Sequence, residues 1–135
     1  ERRFLLKDLK YYHIQNIVKN VLKRLKMFIN KKGFIVISTV DTIDKARDIS
    51  QKIIENKLAG CVSILPNIES KYYWENRVEV ASEFLLIIKT TKERVKKLVK
   101  YIKTIHPYSV PEIAVVKTLF DISYFNWLKS YVGKD

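Results

Sequence analysis

From Gly33 onward, short apolar runs alternate with longer segments in which apolar residues recur every three or four positions. Short runs rich in β-branched residues are typical of buried strands, and the second spacing is typical of amphipathic helices. The predicted strands are Phe34–Val40, Cys61–Leu65 with an extended continuation over Ile68–Trp74, Phe84–Ile88 and Ile113–Val116. The predicted helices are Ile43–Leu58, Val95–Ile105 and a short helix capped by Asp121.

Polar caps and prolines set the expected ends of these elements. Asp41, with Asp44 three residues later, is a usable N-cap for the first of the three helices. Thr90 and Glu93 have the spacing of a capping box for the second helix. Pro66 is expected to break the second strand, because a proline cannot donate a hydrogen bond to a strand ladder.

The predicted order β-α-β-β-α-β, followed by a final helix, indicates an α+β fold. It is the order of a ferredoxin-like sandwich, in which both helices pack on one face of an antiparallel sheet. A turn over residues 75–77 would join the second and third strands. The opposite face of such a sheet stays bare unless another chain covers it. In a chain this apolar, we expect a partner subunit to provide the cover.

Residues 1–32 differ from the rest of the chain. The segment from Phe4 to Ile29 contains no Pro or Gly, and its apolar residues recur at helical spacing, with Lys19, Lys23 and Lys26 on the opposite face. The whole chain has 26 Lys and Arg against 14 Asp and Glu, a net charge of +12, and residues 1–32 alone carry +8 of it. We therefore predict a basic helical extension over 1–32 and a domain over 33–135.

A basic amphipathic helix has several interpretations. It can contact an anionic membrane surface or nucleic acid, or it can be the remainder of a targeting sequence. It can also dock its apolar stripe on the domain or on a neighbouring subunit, with the lysines in solvent. The sequence leaves these alternatives open, together with an upstream organelle-targeting segment. His13 has no second potential ligand near it and is interpreted as a surface residue.

Composition excludes several classes of protein. No run approaches eighteen apolar residues, which excludes a membrane-spanning helix, and the single cysteine, Cys61, excludes an internal disulfide framework. A lone cysteine is typical of the cytoplasm or another reducing compartment. The sequence has no glycine-rich phosphate loop, nucleophile elbow or paired-histidine metal motif, so it predicts no standard catalytic site.

Two positions in the domain have the chemistry of soft metal ligands. Cys61 is either a small buried hydrophobe or a thiolate ligand for copper or zinc, and His106 is the only imidazole after residue 33. A site built from them would need carboxylates or a second subunit. His106 also opens a loop to Glu112 that is closed by two prolines and presents an imidazole, a phenol and a carboxylate. The aromatic run Tyr72–Trp74 is interpreted as packing, against a neighbouring chain among others.

Several blocks, taken together, resemble the CutA divalent-cation tolerance family. These blocks are Leu58-Ala-Gly-Cys61, Pro66, Tyr72-Tyr73-Trp74-Glu75, Glu79, Glu83, Lys89-Thr90-Thr91, His106-Pro107-Tyr108, Pro111-Glu112 and Tyr124 with Trp127-Leu128. Their order and spacing agree over roughly Phe34 to Tyr131. Residues 1–32 lie outside the resemblance.

The resemblance implies a stable homotrimer similar in shape to PII signalling proteins, with clefts between subunits. It also implies a link to tolerance of copper and other divalent cations, with copper binding by some members, and no established enzymatic activity. Cys61 and His106 match family positions discussed for metal contact, and Glu112 is a further candidate ligand. The residues that match positions around the intersubunit cleft are Tyr73, Trp74, Glu75, Glu79, Glu83, Lys89 and Tyr108.

The function expected from the sequence is therefore non-enzymatic binding of Cu(II) or another divalent cation by a homotrimer, through His106, Cys61 and Glu112. Folding should need no cofactor. The alternative is a PII-like trimer that senses a small ligand or docks a partner, with an anion or a peptide in the cleft around Trp74, Lys89 and Tyr108. In either case the extension could contact anionic lipid or nucleic acid, with no DNA specificity expected.

Overall fold

The computed structural model of the chain describes residues 2–133 and, within α1, the side chains from residue 7 onward. The elements are α1 Arg2–Phe28, β1 Ile29–Val40, α2 Ile43–Glu55, β2 Cys61–Trp74, β3 Arg77–Thr90, α3 Val95–Ile105, β4 Ala114–Asp121 and α4 Ile122–Tyr131. From β1 onward this is the predicted β-α-β-β-α-β order with a terminal helix. The α+β prediction is confirmed.

The four strands form one antiparallel sheet in the order β2-β3-β1-β4, which is the ferredoxin-like arrangement. One face of this sheet packs against α2 and α3. The apolar core between these layers is fully or nearly fully buried and consists chiefly of Val36, Val40, Ile49, Ile53, Leu86, Ile88, Leu98 and Ile102. The amphipathic spacing of both helices is therefore explained by their apolar faces packing on the sheet.

The other face of the sheet is apolar as well. Because side chains alternate along a strand, Ile37 of β1 and Ile87 of β3 point away from the helices, and both are only half-buried. Helix α4 reaches the sheet at one end, where Leu128 packs on Gly60 so closely that a Cβ there would lie 2.5 Å from the Leu128 Cδ1 atom. Within residues 2–133, no further element covers most of this face.

Strands β2 and β3 continue as a two-stranded ribbon beyond the rest of the sheet. Strand β1 pairs with β3 only as far as Phe84, whereas β2 and β3 stay paired from Cys61 opposite Lys89 to Trp74 opposite Arg77. The ribbon, residues 68–83, exposes apolar side chains, and Tyr73 is 78% exposed. A lone two-stranded hairpin is marginally stable in water, and in the described structure no third strand lies beside the ribbon.

Two predicted helix caps are wrong, and one is confirmed. The N-cap of α2 is Thr42, whose hydroxyl accepts from the amide of Lys45, rather than Asp41. Thr90 does not cap α3, because it is the last residue of β3 and its hydroxyl donates to the carbonyl of Leu58. Asp121 caps α4 as predicted by accepting from the amide of Tyr124.

Pro66 does not end the second strand. The pairing of β2 with β3 shifts register between Leu65 and Ile68, and Asn67 has a φ of 60° within this bulge. Because β2 is an edge strand, a bulge can hold a proline without a missing ladder bond. The predicted turn is confirmed: Glu75 and Asn76 have positive φ of 48° and 61°, as a tight hairpin turn requires.

The extension also differs from its predicted form. Helix α1 ends at Phe28, and residues 29–32 belong to β1, where they pair with β4. From residue 7 onward, every described side chain of α1 is exposed except Asn16, which is half-buried. The stripe of α1 therefore does not dock on its own domain, which removes one of the interpretations drawn from the sequence.

Substituting Leu128→Ala tests how firmly α4 is attached to the sheet. Leu128 is fully buried, so we expect its truncation to lower the free energy of unfolding by about 2–5 kcal/mol. Leu119→Ala, on the exposed side of β4, is the control and should cost less than about 1 kcal/mol. Urea denaturation at one fixed protomer concentration measures both. Equal losses would contradict the docking contact.

Candidate functional site

A groove of about 730 Å³ lies where the β2–β3 ribbon leaves the sheet, and we call it the ribbon cleft. Its lining comes from β1, from both strands of the ribbon and from the loop between α3 and β4. The lining residues are Thr39, Ser70, Lys71, Tyr72, Trp74, Glu83, Tyr108, Ser109, Val110, Pro111 and Glu112. Tyr72 and Trp74 are two residues apart on β2, so they lie on one face of the ribbon, and both contribute to this lining.

Glu83 is a buried carboxylate in the wall of the cleft. It is only 6% exposed, and the Tyr108 hydroxyl donates to its Oε2 atom over 2.8 Å. Burial, and then the Glu83 carboxylate, raise the pKa of Tyr108, so the phenol keeps its proton as a donor. Among the described residues no Lys or Arg forms an ion pair with Glu83. The carboxylate therefore retains capacity for a cation.

His106 links Tyr108 to β1 through two hydrogen bonds. Its Nδ1 atom accepts from the Tyr108 amide at 3.1 Å, so its Nε2 atom carries the proton and donates to the Thr39 carbonyl at 3.0 Å. The two rings also meet edge to face, with centroids 5.0 Å apart. Both imidazole nitrogens are occupied, and His106 could ligate a metal only after one of these hydrogen bonds breaks.

Burial lowers the pKa of His106 and keeps the ring neutral. The hydrogen bond to Thr39 and the carboxylates of Asp41 and Glu83 act in the opposite direction, but they are smaller effects. The neutral ring is the form that can accept from the Tyr108 amide and donate to Thr39 at the same time. The structure thus assigns His106 the role of positioning Tyr108 towards Glu83.

Cys61 lies at the other end of the sheet. It stands opposite Lys89, whose Nζ atom is 3.6 Å from the thiol sulfur and 2.5 Å from the Ser63 hydroxyl. Lys89 also pairs with Ile35, four residues before Thr39, so Cys61 and His106 are separated by about 13 Å along the strands. Within one chain they cannot bind the same ion.

The remaining predicted residues divide between the cleft and other places. Trp74, Glu83, Tyr108 and Glu112 line the ribbon cleft together. The other four predicted cleft residues are outside its lining: Tyr73, Glu75 at the hairpin tip, Glu79 opposite Tyr72, and Lys89 beside Cys61. Over residues 2–133, the structure places no three His, Cys, Asp or Glu side chains where they could hold a metal ion.

Sequence reasoning missed Thr39, which supplies both a lining atom and the acceptor for His106. Its strand reads as a continuous apolar run, which hides a polar residue at its end. The period of two that places Ile35 and Ile37 on the open face would have placed Thr39 there too. That period is the signal by which it could have been found.

The chemistry of the cleft favours a cation over an anion. Glu83 and Glu112 contribute carboxylates, Tyr72 and Trp74 contribute ring faces, and Lys71 is the one basic residue in the described lining. Carboxylates attract cations directly, and ring faces attract them through their quadrupoles. The small anion expected from Lys89 has no basis in this cleft, since Lys89 lies elsewhere.

The neutral His106 ring should make stability depend on pH. Its pKa is lowered on folding, so the unfolded chain holds a proton on this ring more tightly. The contribution of the ring is complete above the unfolded pKa of about 6.5 and is lost as the pH falls through the lower folded pKa. Between about pH 7.5 and 5, wild type should therefore lose more unfolding free energy than His106→Gln.

Urea denaturation at several pH values measures this difference. His13→Gln is the matched control, because His13 is exposed on α1, and it should keep the wild-type dependence. Parallel pH profiles for wild type and His106→Gln would show that the ring is not held neutral.

Comparisons with known proteins agree with the resemblance seen in the sequence. The family model of the CutA1 divalent ion tolerance protein matches residues 34–131. A divalent-cation tolerance protein CutA from Thermus thermophilus is 37% identical over 100 residues, which cover 73% of this chain and 97% of that protein. Protein CutA 1, chloroplastic, from Oryza sativa subsp. japonica is 38% identical over 99 residues, covering 73% of this chain and 56% of its own.

Solved structures give the same result. CutA from Synechococcus elongatus PCC7942 superposes with a TM-score of 0.72 at 32% identity, over 76% of this chain and 91% of that one. A second structure of that protein, complexed with a Bis-Tris molecule, gives a TM-score of 0.68 at 33% identity over 74% and 93% of the two chains. The chain belongs to the CutA1 divalent ion tolerance protein family.

Proposed function

We propose that three copies of this chain assemble into a homotrimer in which neighbouring subunits complete the ribbon cleft. Two features support this assembly: the open, apolar face of the sheet and the ribbon that extends beyond it with Tyr73 and Val78 exposed. Each would be unstable alone in water, and a symmetric partner of the same chain can cover both.

We further propose that the ribbon cleft binds divalent cations, with Cu(II) as the tightest of them, and that the protein acts by binding rather than by catalysis. The observation that carries this proposal is Glu83, a buried carboxylate with a phenol donor, no cationic partner among the described residues and a second carboxylate, Glu112, in the same lining. Oxygen and nitrogen sites generally bind Cu(II) most strongly among divalent first-row ions.

This proposal changes the relative importance of the ligands expected from the sequence. Glu83 and Glu112 become the ligands of one chain, His106 positions Tyr108, and Cys61 can participate only at a separate place or through another subunit. The apolar core forms without a metal ligand, so folding should need no ion. A lone, half-buried thiol suits the cytoplasm or another reducing compartment.

The second candidate function is the sensing of a small organic cation in the same cleft. The exposed ring faces of Tyr72 and Trp74 beside two carboxylates favour an ammonium group. The complex of the Synechococcus elongatus CutA with Bis-Tris, an amine that carries hydroxyl groups, adds to this possibility.

The trimer is tested by mass. Analytical ultracentrifugation at micromolar protomer concentration should give about three times the chain mass of 16.0 kDa. Val78→Glu would place a charge on an exposed apolar position of the ribbon and should shift this mass towards the monomer. Glu69→Gln, at an exposed polar position of the same ribbon outside the cleft lining, is the control and should keep the trimer mass. A monomeric wild type would contradict both the assembly and the completed cleft.

Copper titration by isothermal calorimetry tests the ligands. Glu83→Gln and Glu112→Gln should each weaken Cu(II) binding by about tenfold or more, because each removes a charged oxygen ligand. Glu93→Gln, which removes an exposed carboxylate just before α3, is the matched control and should bind as wild type does. Cys61→Ser should also leave this site unchanged. Equal affinity in all variants would contradict the cleft as the site.

The same variants separate the two candidate functions. If the cleft serves a small organic cation, Bis-Tris should raise the unfolding temperature, Cu(II) should not, and Trp74→Ala should abolish the Bis-Tris effect. If it serves a metal, Trp74→Ala should leave Cu(II) affinity close to that of wild type.

A further inference from the structure

Helix α1 carries a long apolar stripe that the described residues leave uncovered. It is 27 residues long, about 40 Å, and most of its length touches no other element. Its second half presents one stripe, formed by Ile14, Val18, Val21, Leu22, Leu25 and Phe28, whose exposure ranges from 49% to 62%. The stripe spans about 120° of the helix surface, which is the width of a helix face that is buried in its working state.

The charges on α1 are arranged around this stripe. At helical spacing Lys19 and Lys26 lie along one border, Arg24 lies along the other, and Lys23 occupies the far side. No acidic residue occurs between His13 and Phe28. The surface around the stripe is therefore uniformly positive and complements an anionic partner.

This combination distinguishes between the partners that could cover the stripe. A second copy of α1 would set Lys19, Lys26 and Arg24 beside identical cations with no acidic residue to pair with, which disfavours helix–helix association. Nucleic acid would take up the positive charge through its phosphates and leave the apolar stripe in water. In the part of the chain described, no helix is long and apolar enough to cross a membrane.

We propose that α1 lies along the surface of an anionic lipid bilayer. Its apolar stripe would be buried at the boundary between headgroups and acyl chains, and Lys19, Lys26 and Arg24 would extend to the lipid phosphates. Unlike a second copy of α1 or a nucleic acid, an anionic bilayer satisfies the stripe and its positive borders together. The inference rests on α1 alone and is independent of the ribbon cleft, although a trimer would present three such helices and bind more tightly.

Vesicle flotation with the full chain tests the proposal. Vesicles of phosphatidylcholine with about one third phosphatidylglycerol should carry the protein, and vesicles of phosphatidylcholine alone should not. Binding should weaken as salt rises from about 0.05 to 0.5 M, because the lipid charge is screened. Equal binding to both kinds of vesicle, or to neither, would overturn the proposal.

Two sets of variants separate charge from apolar contact. Replacing Lys19, Arg24 and Lys26 by Gln should lower partition into anionic vesicles by roughly 100-fold, since each cation near the surface contributes about a factor of five. Val21→Asn with Leu25→Asn should lower it by at least about tenfold with the charge unchanged. The matched control replaces three exposed lysines of α3, Lys96, Lys100 and Lys103, by Gln, and it should bind as wild type does.

Another copy of the chain and nucleic acid, as partners of α1, would each give a different experimental result. If the stripe covers another copy of the chain, the Val21 and Leu25 double variant will have a lower mass than wild type by ultracentrifugation. If α1 binds nucleic acid, a duplex oligonucleotide will compete with the vesicles, and the stripe variant will bind it unchanged. Either result overturns the proposal. Because the stripe contacts none of the domain core, cooperative thermal unfolding of the domain should be kept in every variant.

Discussion

The hydrogen bond between Tyr108 and Glu83 is the contact on which the rest of the site depends. A carboxylate that is almost fully buried is costly unless a donor satisfies it, and the Tyr108 hydroxyl is that donor. Tyr108 is in turn held by His106, which is fixed to Thr39 at the end of β1. One chain of hydrogen bonds thus joins the loop after α3 to β1 and β3. The wall of the ribbon cleft takes its shape from this connection.

Apolar surface also needs cover from water, and the described domain does not provide all of it. Helices α2 and α3 complete one face of the sheet, and α4 covers only an end of the other. The ribbon has two strands, an exposed edge and apolar side chains on its surface. A four-stranded sheet of this length cannot bury both of its faces with three short helices. The described domain therefore leaves apolar surface uncovered on the open sheet face and on the ribbon, and the ribbon cleft lies where the sheet ends and the ribbon begins.

Much of the fold could be predicted from the sequence, because the deciding interactions are local. The amphipathic spacing of α2 and α3, the Asp121 cap and the turn at Glu75 and Asn76 each depend on residues close together in the chain. The full length of β3 was not predicted: Val78 and Val80 alternate with charged residues in its first half, but this alternation is short, and the segment is held extended by pairing with β2. Pro66 was misread for the same reason: whether a proline breaks a strand depends on whether that strand is at an edge.

The site was harder to predict, because register decides which residues meet. Trp74, Glu83, Tyr108 and Glu112 could be named from the resemblance, and they do meet. Lys89 and Cys61 could be named as well, but the pairing of β1, β2 and β3 carries them to the far end of the sheet. Spacing along the chain holds no information on this separation. The separation becomes apparent only when the strands are aligned with one another. Residue types alone therefore grouped ligands that lie too far apart in one chain to share an ion.

Net charge is a poor guide to the ribbon cleft, and the structure shows why. The chain carries +12, yet the cleft is lined by two carboxylates and one lysine. Most of the positive excess is on residues 1–32, and its influence in physiological salt extends only about 8–10 Å. The two carboxylates act on any ion within the cleft at much shorter range than that. Eleven residues of extended chain, roughly 35 Å, separate the end of α1 at Phe28 from Thr39 in the cleft, which is well beyond the screening length. A basic chain can therefore present an acidic site at a distance from its basic helix.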